Sequence, residues 1–169
     1  AEEGIPAYSV SREGYFETYE VSVLLDYLKV LDNARQDLPL TAVLTSPFAG
    51  LTAAELSVIR LAYPNQLFYE AVEGFFSLCP EEIPETVDKK QAIQVQEKLR
   101  KFFEVLDHFR EILPYTAIHD LLAEIIDKTG YGLFISAMPG GAQRQANVEM
   151  LVEKARAFEG TSYKGLFNF

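Results

Sequence analysis

Val87-Asp88-Lys89-Lys90-Gln91-Ala92-Ile93-Gln94-Val95-Gln96-Glu97-Lys98-Leu99-Arg100-Lys101-Phe102-Phe103-Glu104-Val105-Leu106-Asp107-His108-Phe109-Arg110-Glu111-Ile112-Leu113 is the stretch on which the fold class turns. Within it Val95, Leu99, Phe102, Phe103, Leu106 and Phe109 return at helical spacing, which lines them up as one apolar stripe. A helix from about Val87 to Leu113 follows, long enough to act as the central packing element. The acidic run on its N-terminal side, Pro80 to Asp88 with Glu81, Glu82 and Glu85, reads as a loop.

Further towards the N-terminus the same rhythm repeats. Leu67, Phe68, Ala71, Phe75 and Leu78 mark a helix within Gln66–Leu78, and Tyr63-Pro64 interrupts the chain before it. Thr52-Ala53-Ala54-Glu55 has the form of a capping box, so a helix should start there and run through Leu61. Asp37 before Leu38-Pro39 reads as an N-cap with proline in the first turn, and Ser46-Pro47 closes that short helix. Val21, Leu24, Leu25, Leu28 and Leu31 predict an amphipathic helix over Glu17–Asn33. Gly4-Ile5-Pro6-Ala7-Tyr8-Ser9-Val10 reads instead as a short extended segment.

Towards the C-terminus, Thr116 is placed to cap a helix carrying Ile118, Leu121, Leu122, Ile125 and Ile126, with Gly130 as its stop. Pro139-Gly140-Gly141 turns the chain into a last long helix with Val148, Leu151, Val152 and Ala155. There are no alternating strand pairs, fixed-period repeats or low-complexity tracts. The reading is all-α, with about seven to nine helices and a short extended N-terminal segment.

Composition sets the outer limits. The 169 residues fit one domain, and 49% hydrophobic against 24% charged residues is a globular balance rather than a disordered one. No run is apolar for long enough to span a bilayer. One cysteine, Cys79, leaves no internal disulfide or multi-cysteine zinc site, points to a reducing compartment, and reads as a buried structural thiol at the end of an apolar run. A net charge of −10 repels nucleic acid at long range, so any contact with DNA must be local. Arg144, Lys154, Arg156 and Lys164 gather near the C-terminus and allow one such face. The opening Ala1-Glu2-Glu3-Gly4 has neither an initiator Met nor a signal-peptide pattern, which reads as an internal piece of a longer protein.

Catalytic constellations do not assemble from these residues. GxxxxGK[ST] is absent, which argues against ATP hydrolysis by this chain alone. His108 and His119 lack HExxH or ExxH spacing, so no metal site is expected. Glu97, Glu104, Asp107 and Glu111 read as a solvated helix face, and Phe102, Phe103 and Phe109 as core. Two glycine turns remain as candidates. Phe48-Ala49-Gly50-Leu51-Thr52 places Gly50, Leu51 and Thr52 before a capped helix, whose backbone N–H groups suit a phosphate oxygen or a plain connecting turn. Gly140-Gly141-Ala142-Gln143-Arg144-Gln145-Ala146-Asn147 adds Arg144 for phosphate and the amides of Gln143, Gln145 and Asn147. Contact with DNA and a purely structural role both fit that second turn.

Three segments together carry a resemblance: Gly14-Tyr15-Phe16-Glu17-Thr18-Tyr19-Glu20-Val21, Val30-Leu31-Asp32-Asn33-Ala34-Arg35-Gln36-Asp37-Leu38-Pro39-Leu40 and Gly140 through Asn147. In this order they resemble the UvrD/RecB-like superfamily-1 DNA helicases, most closely the AddA (RexA) family of bacterial helicase–nuclease subunits. The resemblance implies that residues 1–13 are the end of a strand of motor domain 2A and its linker. Residues 14–169 would be the helical insertion called 2B. Ser46-Pro47-Phe48-Ala49-Gly50-Leu51-Thr52 resembles the turn that meets duplex DNA ahead of the fork, although Gly50-Leu51-Thr52 stands where UvrD-like members have Gly-Ile-Gly. A whole protein of this kind is expected to use ATP and Mg²⁺ for 3′ to 5′ unwinding, to carry an exonuclease domain and to pair with AddB (RexB) in double-strand-break repair in the bacterial cytoplasm. This chain, holding no cofactor of its own, would engage duplex DNA or a fork junction, or dock on protein.

Overall fold

A computed structural model of the chain describes residues 12–160 and Phe169. Among the described residues there are nine α-helices and no strand: α1 Arg12–Phe16, α2 Tyr19–Asp32, α3 Asp37–Leu44, α4 Ala53–Ala62, α5 Phe68–Ser77, α6 Lys89–Ile112, α7 Ile118–Lys128, α8 Tyr131–Ala137 and α9 Gly141–Glu159. The all-α reading therefore holds. The expected extended segment Gly4–Val10 lies outside the described residues.

The apolar stripe of α6 is buried at Val95, Leu99, Phe102, Leu106 and Phe109, with Phe103 half-buried on its flank. α6 packs on α2, α4 and α5, whereas α9 packs on α2, α7 and α8, so α2 is the element shared by both halves of the core. Tyr27 of α2 sits at that junction, 1% exposed, with its ring 4.4 Å from Phe48 and edge-on to Phe102 and Phe109 at 6.4 and 6.3 Å. Polar side chains from α6 finish neighbouring helices. The Gln96 amide donates to the carbonyls of Phe75, in the last turn of α5, and Leu78, just past it. Arg110 donates to the carbonyls of Val30 and Leu31, a cation at the negative end of α2.

Asp37 is the first residue of α3 rather than its cap, a position that Gln36 occupies without a side-chain bond. Elsewhere helix ends follow local chemistry with three exceptions. Thr52 and Glu55 form the expected capping box, each donating its backbone N–H to the other's side chain. Gly130 terminates α7 in the left-handed region, at φ 72°. The first exception is Thr116, whose hydroxyl donates back to the carbonyl of Ile112; Ala117 occupies the cap position of α7, and Glu159 supplies the carboxylate instead. The second is Cys79, which is exposed rather than buried. Leu78 leaves the helical region and turns the chain outward, and the Cys79 backbone N–H donates to Glu82. The third is α8, seven residues between two left-handed glycines, which the sequence reading leaves inside a connection. Its Tyr131 and Ile135 are buried, so tertiary packing holds a helix too short to persist alone.

Candidate functional site

The turn before α4 is internally committed. Gly50 sits at φ 69°, a conformation that glycine adopts without penalty, and its N–H donates to the Ser46 carbonyl at 2.7 Å. Leu51 N–H donates to the Leu44 carbonyl at 2.9 Å, and Thr52 N–H to Glu55 Oε2 at 3.3 Å. Of the two roles open to these amides in the sequence, phosphate contact and a plain connecting turn, the three N–H groups of Gly50, Leu51 and Thr52 serve the second. Those of Ala53 and Ala54 are the first-turn groups without a partner among the described residues. Lys98 Nζ reaches across from α6 to the Gly50 carbonyl at 3.0 Å and to both Glu55 oxygens at 2.9 Å, which places a cation beside the helix entry.

The second turn builds a buried polar network. Gly140 and Gly141 let the chain reverse and enter α9: Gly140 is left-handed at φ 70°, and a Cβ on Gly141 would lie 2.0 Å from the Ser136 carbonyl oxygen. The first turn of α9 then lies against the start of α2. Arg144 Nη1 donates to Glu20 Oε2 at 2.8 Å while its Nε donates to the Pro139 carbonyl at 2.9 Å. Asn147 Nδ2 donates to Glu20 Oε1 at 2.7 Å, and Gln143 Nε2 donates to Asn147 Oδ1 at 3.0 Å. Two tyrosines close the network through the backbone. Tyr15 donates to the Asn147 carbonyl at 2.7 Å and Tyr131 to the Glu20 carbonyl at 2.8 Å.

Glu20 is 3% exposed at its side chain, so a charge there requires full compensation. Both oxygens have a donor, and Glu20 lies in the first turn of α2, where a negative charge is favoured by the helix dipole. Burial, then the charge on Glu20, pushes the Tyr15 phenol up to about 12, and burial likewise raises Tyr131. Both hydroxyls are therefore fixed donors at neutral pH. The two turns communicate through an aromatic stack: Phe48 lies on the Tyr131 ring at 4.7 Å, and the Tyr131 hydroxyl ends at Glu20.

Of the residues singled out from sequence, Gln143, Arg144 and Asn147 come together around Glu20. Gln145 points elsewhere, to Glu149 at 3.4 Å, and Gly50, Leu51 and Thr52 form their own turn. Glu20, Tyr15, Tyr131 and Lys98 were not singled out. Glu20 had a signal: it lies four residues before Leu24 and seven before Tyr27, an acid on the buried stripe of α2. A second carboxylate ties the far end of α9 to α7. Glu159 accepts from the Ile118 backbone N–H and pairs with His119 Nδ1, while His119 Nε2 lies 3.3 Å from Asp120. Partial burial pushes Glu159 up, but the bonds from His119 and the Ile118 backbone overcome it and hold the carboxyl below its ordinary value. Among the described residues no three metal-ligating side chains converge on a point.

Positive charge is largely engaged within the described residues. Among described side chains, every Lys and Arg except Lys89 and Lys90 contacts a carboxylate, a carbonyl or an aromatic ring; those two stand exposed in the first turn of α6.

Among curated proteins, the chain is 39% identical to the AddA subunit of an ATP-dependent helicase/nuclease from Lachnoclostridium phytofermentans, over 99% of the chain and 15% of that protein. It is 39% identical to a protein of the same name from Oceanobacillus iheyensis, over 99% of the chain and 13% of that protein. For another from Heliobacterium modesticaldum the identity is 41%, over 98% of the chain and 12% of the protein. The chain belongs to the AddA family of ATP-dependent helicase/nuclease subunits. It spans 12–15% of the length of these AddA relatives. No protein-family model matches it. In this AddA-family chain, then, three side chains near the start of α9, Gln143, Arg144 and Asn147, turn inward to the Glu20 network. No described helix is long and apolar enough to cross a membrane.

Proposed function

We propose that the chain is the 2B-like helical subdomain of an ATP-dependent DNA helicase and exonuclease that works in double-strand-break repair and recombination. In this reading it performs no chemistry and engages duplex DNA or a fork junction ahead of the motor. The observation that carries the proposal is the match to AddA relatives along 98–99% of an all-helical chain that lacks the phosphate-binding GxxxxGK[ST] segment. ATP, Mg²⁺ and the AddB partner belong to the whole protein. Within this chain the contact would centre on the two helix entries. The Ala53 and Ala54 amides beside Lys98 form one, and the outer faces of Gln143, Arg144 and Gln145 the other. Asn147, Gly50, Leu51 and Thr52 would shape these entries from behind.

Fluorescence anisotropy of a labelled duplex with a 3′ single-stranded tail tests this. With so few phosphate contacts, binding is expected only at low salt, with a dissociation constant at physiological salt no tighter than roughly 10⁻⁴ to 10⁻⁶ M. Lys98→Ala is expected to shallow the salt dependence by about one unit. A second reading, docking on AddB or on the parent protein's own motor domains, has support of its own. The surface is acidic, and a groove of about 430 Å³ between α7, α8 and α9 is lined by Ile126, Leu133, Val148 and Val152, with Leu133 79% exposed. Absence of DNA binding at low salt favours that reading.

A further inference from the structure

The groove between α5 and α6 has a composition that neither reading uses. α5 contributes Tyr69, Glu73 and Phe76, and α6 contributes Phe103, Asp107 and Arg110, each set at i, i+4, i+7, so two matched stripes face each other. Phe76 pairs with Phe103 at 5.4 Å, at the opposite end from Tyr69 and Arg110, which makes the helices antiparallel and the floor aromatic. The groove holds about 600 Å³; Phe103 packs against the core, while Phe76 remains 38% exposed.

The rim carries three carboxylates, Glu70, Glu73 and Asp107, against one guanidinium, Arg110. That guanidinium is also held by the carbonyls of Val30 and Leu31 and by Asp107 at 3.6 Å, so its charge is shared among α2, α6 and Tyr69 at that end of the groove. Glu73 Oε1 accepts the Tyr69 hydroxyl at 2.6 Å, leaving Oε2 available, and Glu70 has no partner among the described residues. The carboxylates do not converge on a metal-sized point, and their charge repels phosphate. An aromatic floor beneath an acidic rim fits a flat, delocalised cation that can stack and hydrogen-bond sideways at once. The chain already makes this contact at the groove's edge, where the Arg35 guanidinium lies over the Tyr69 ring, 5.6 Å from its centroid.

We propose that the α5–α6 groove is a docking site for an arginine side chain of a protein partner, stacked on Phe76 and Phe103 and bonded to Glu73 and Glu70. The proposal stands whether or not the chain binds duplex DNA.

The test is anisotropy of a fluorescein-labelled Gly-Leu-Arg-Ala-Leu-Gly peptide titrated with the 169-residue chain, beside the same peptide with citrulline in place of arginine. Saturable binding is expected for arginine and not for citrulline. Phe76→Ala and Glu73→Gln should each weaken it about two- to fivefold, with Glu70→Gln as the variant whose exposed position leaves the fold unaffected. Glu81→Gln, in the separate acidic loop, should bind like the parent. The proposal is overturned by no saturable binding at millimolar concentration, by equal binding of the citrulline peptide, or by undiminished binding in Glu70→Gln together with Phe76→Ala.

Discussion

Replacing Arg144 by alanine separates its structural role from its role at a DNA face. The substitution removes one donor from Glu20, whose side chain is 3% exposed, and leaves Asn147 and the first turn of α2 as the remaining compensation. Removing one partner of a buried ion pair costs about 3–5 kcal/mol. Arg144 is 28% exposed, so water reaches part of the site, and a net loss of roughly 2–4 kcal/mol is expected. For a chain of this size that is a fall in melting temperature of roughly 5–15 °C, read by circular dichroism at 222 nm. Glu20→Ala should cost less, about 1–2 kcal/mol, because Arg144 is 28% exposed and can turn its guanidinium to water. The double variant should be less destabilised than the sum of the singles by at least about 1 kcal/mol. An Arg144→Ala chain that melts within about 2 °C of the parent, or strict additivity in the cycle, would refute this reasoning. If that chain also lost duplex binding at unchanged stability, Arg144 would be a phosphate contact and Glu20 merely its neighbour.

Two tyrosines should respond in opposite directions. Tyr131→Phe removes a bond to the Glu20 carbonyl and should cost about 1 kcal/mol, whereas Tyr27→Phe removes a buried hydroxyl with no partner and should leave stability unchanged or raised; urea melts of both decide it. Gly141→Ala must push its Cβ against the Ser136 carbonyl, so a loss well above the cost of about 1 kcal/mol expected for left-handed Gly140→Ala is predicted, measured in the same melts. Glu159 has a folded pKa below its unfolded value, so its contribution is present above the unfolded pKa and lost as pH falls through the folded one. Glu159→Gln should therefore flatten the acid limb of the stability profile, followed by urea melts from about pH 3 to 6.

Legibility in the sequence followed the range of the interaction responsible. Helix periods and the Thr52–Glu55 box depend on residues within four positions of each other, and α2, α4 and α6 appear within a residue or two of where those patterns put them. α8 does not, because its seven residues are held by the burial of Ile135 and of Tyr131, which meets Glu20 and Phe48 far back along the chain. The roles of Arg144 and Asn147 were open for the same reason. Their chemistry suits a phosphate or a carboxylate equally, and the carboxylate that takes them lies 124 and 127 residues away. The competition has a physical preference. A phosphate at the α9 entry would have to draw Arg144 from Glu20, leaving that acid buried with Asn147 as its one remaining side-chain donor, a cost comparable to most of a weak phosphate contact's gain. Any anion bound there is therefore best served by the outer edge of a guanidinium that keeps its inner bond. Binding of duplex DNA to this chain and retention of the Glu20 network should then occur together rather than in exchange.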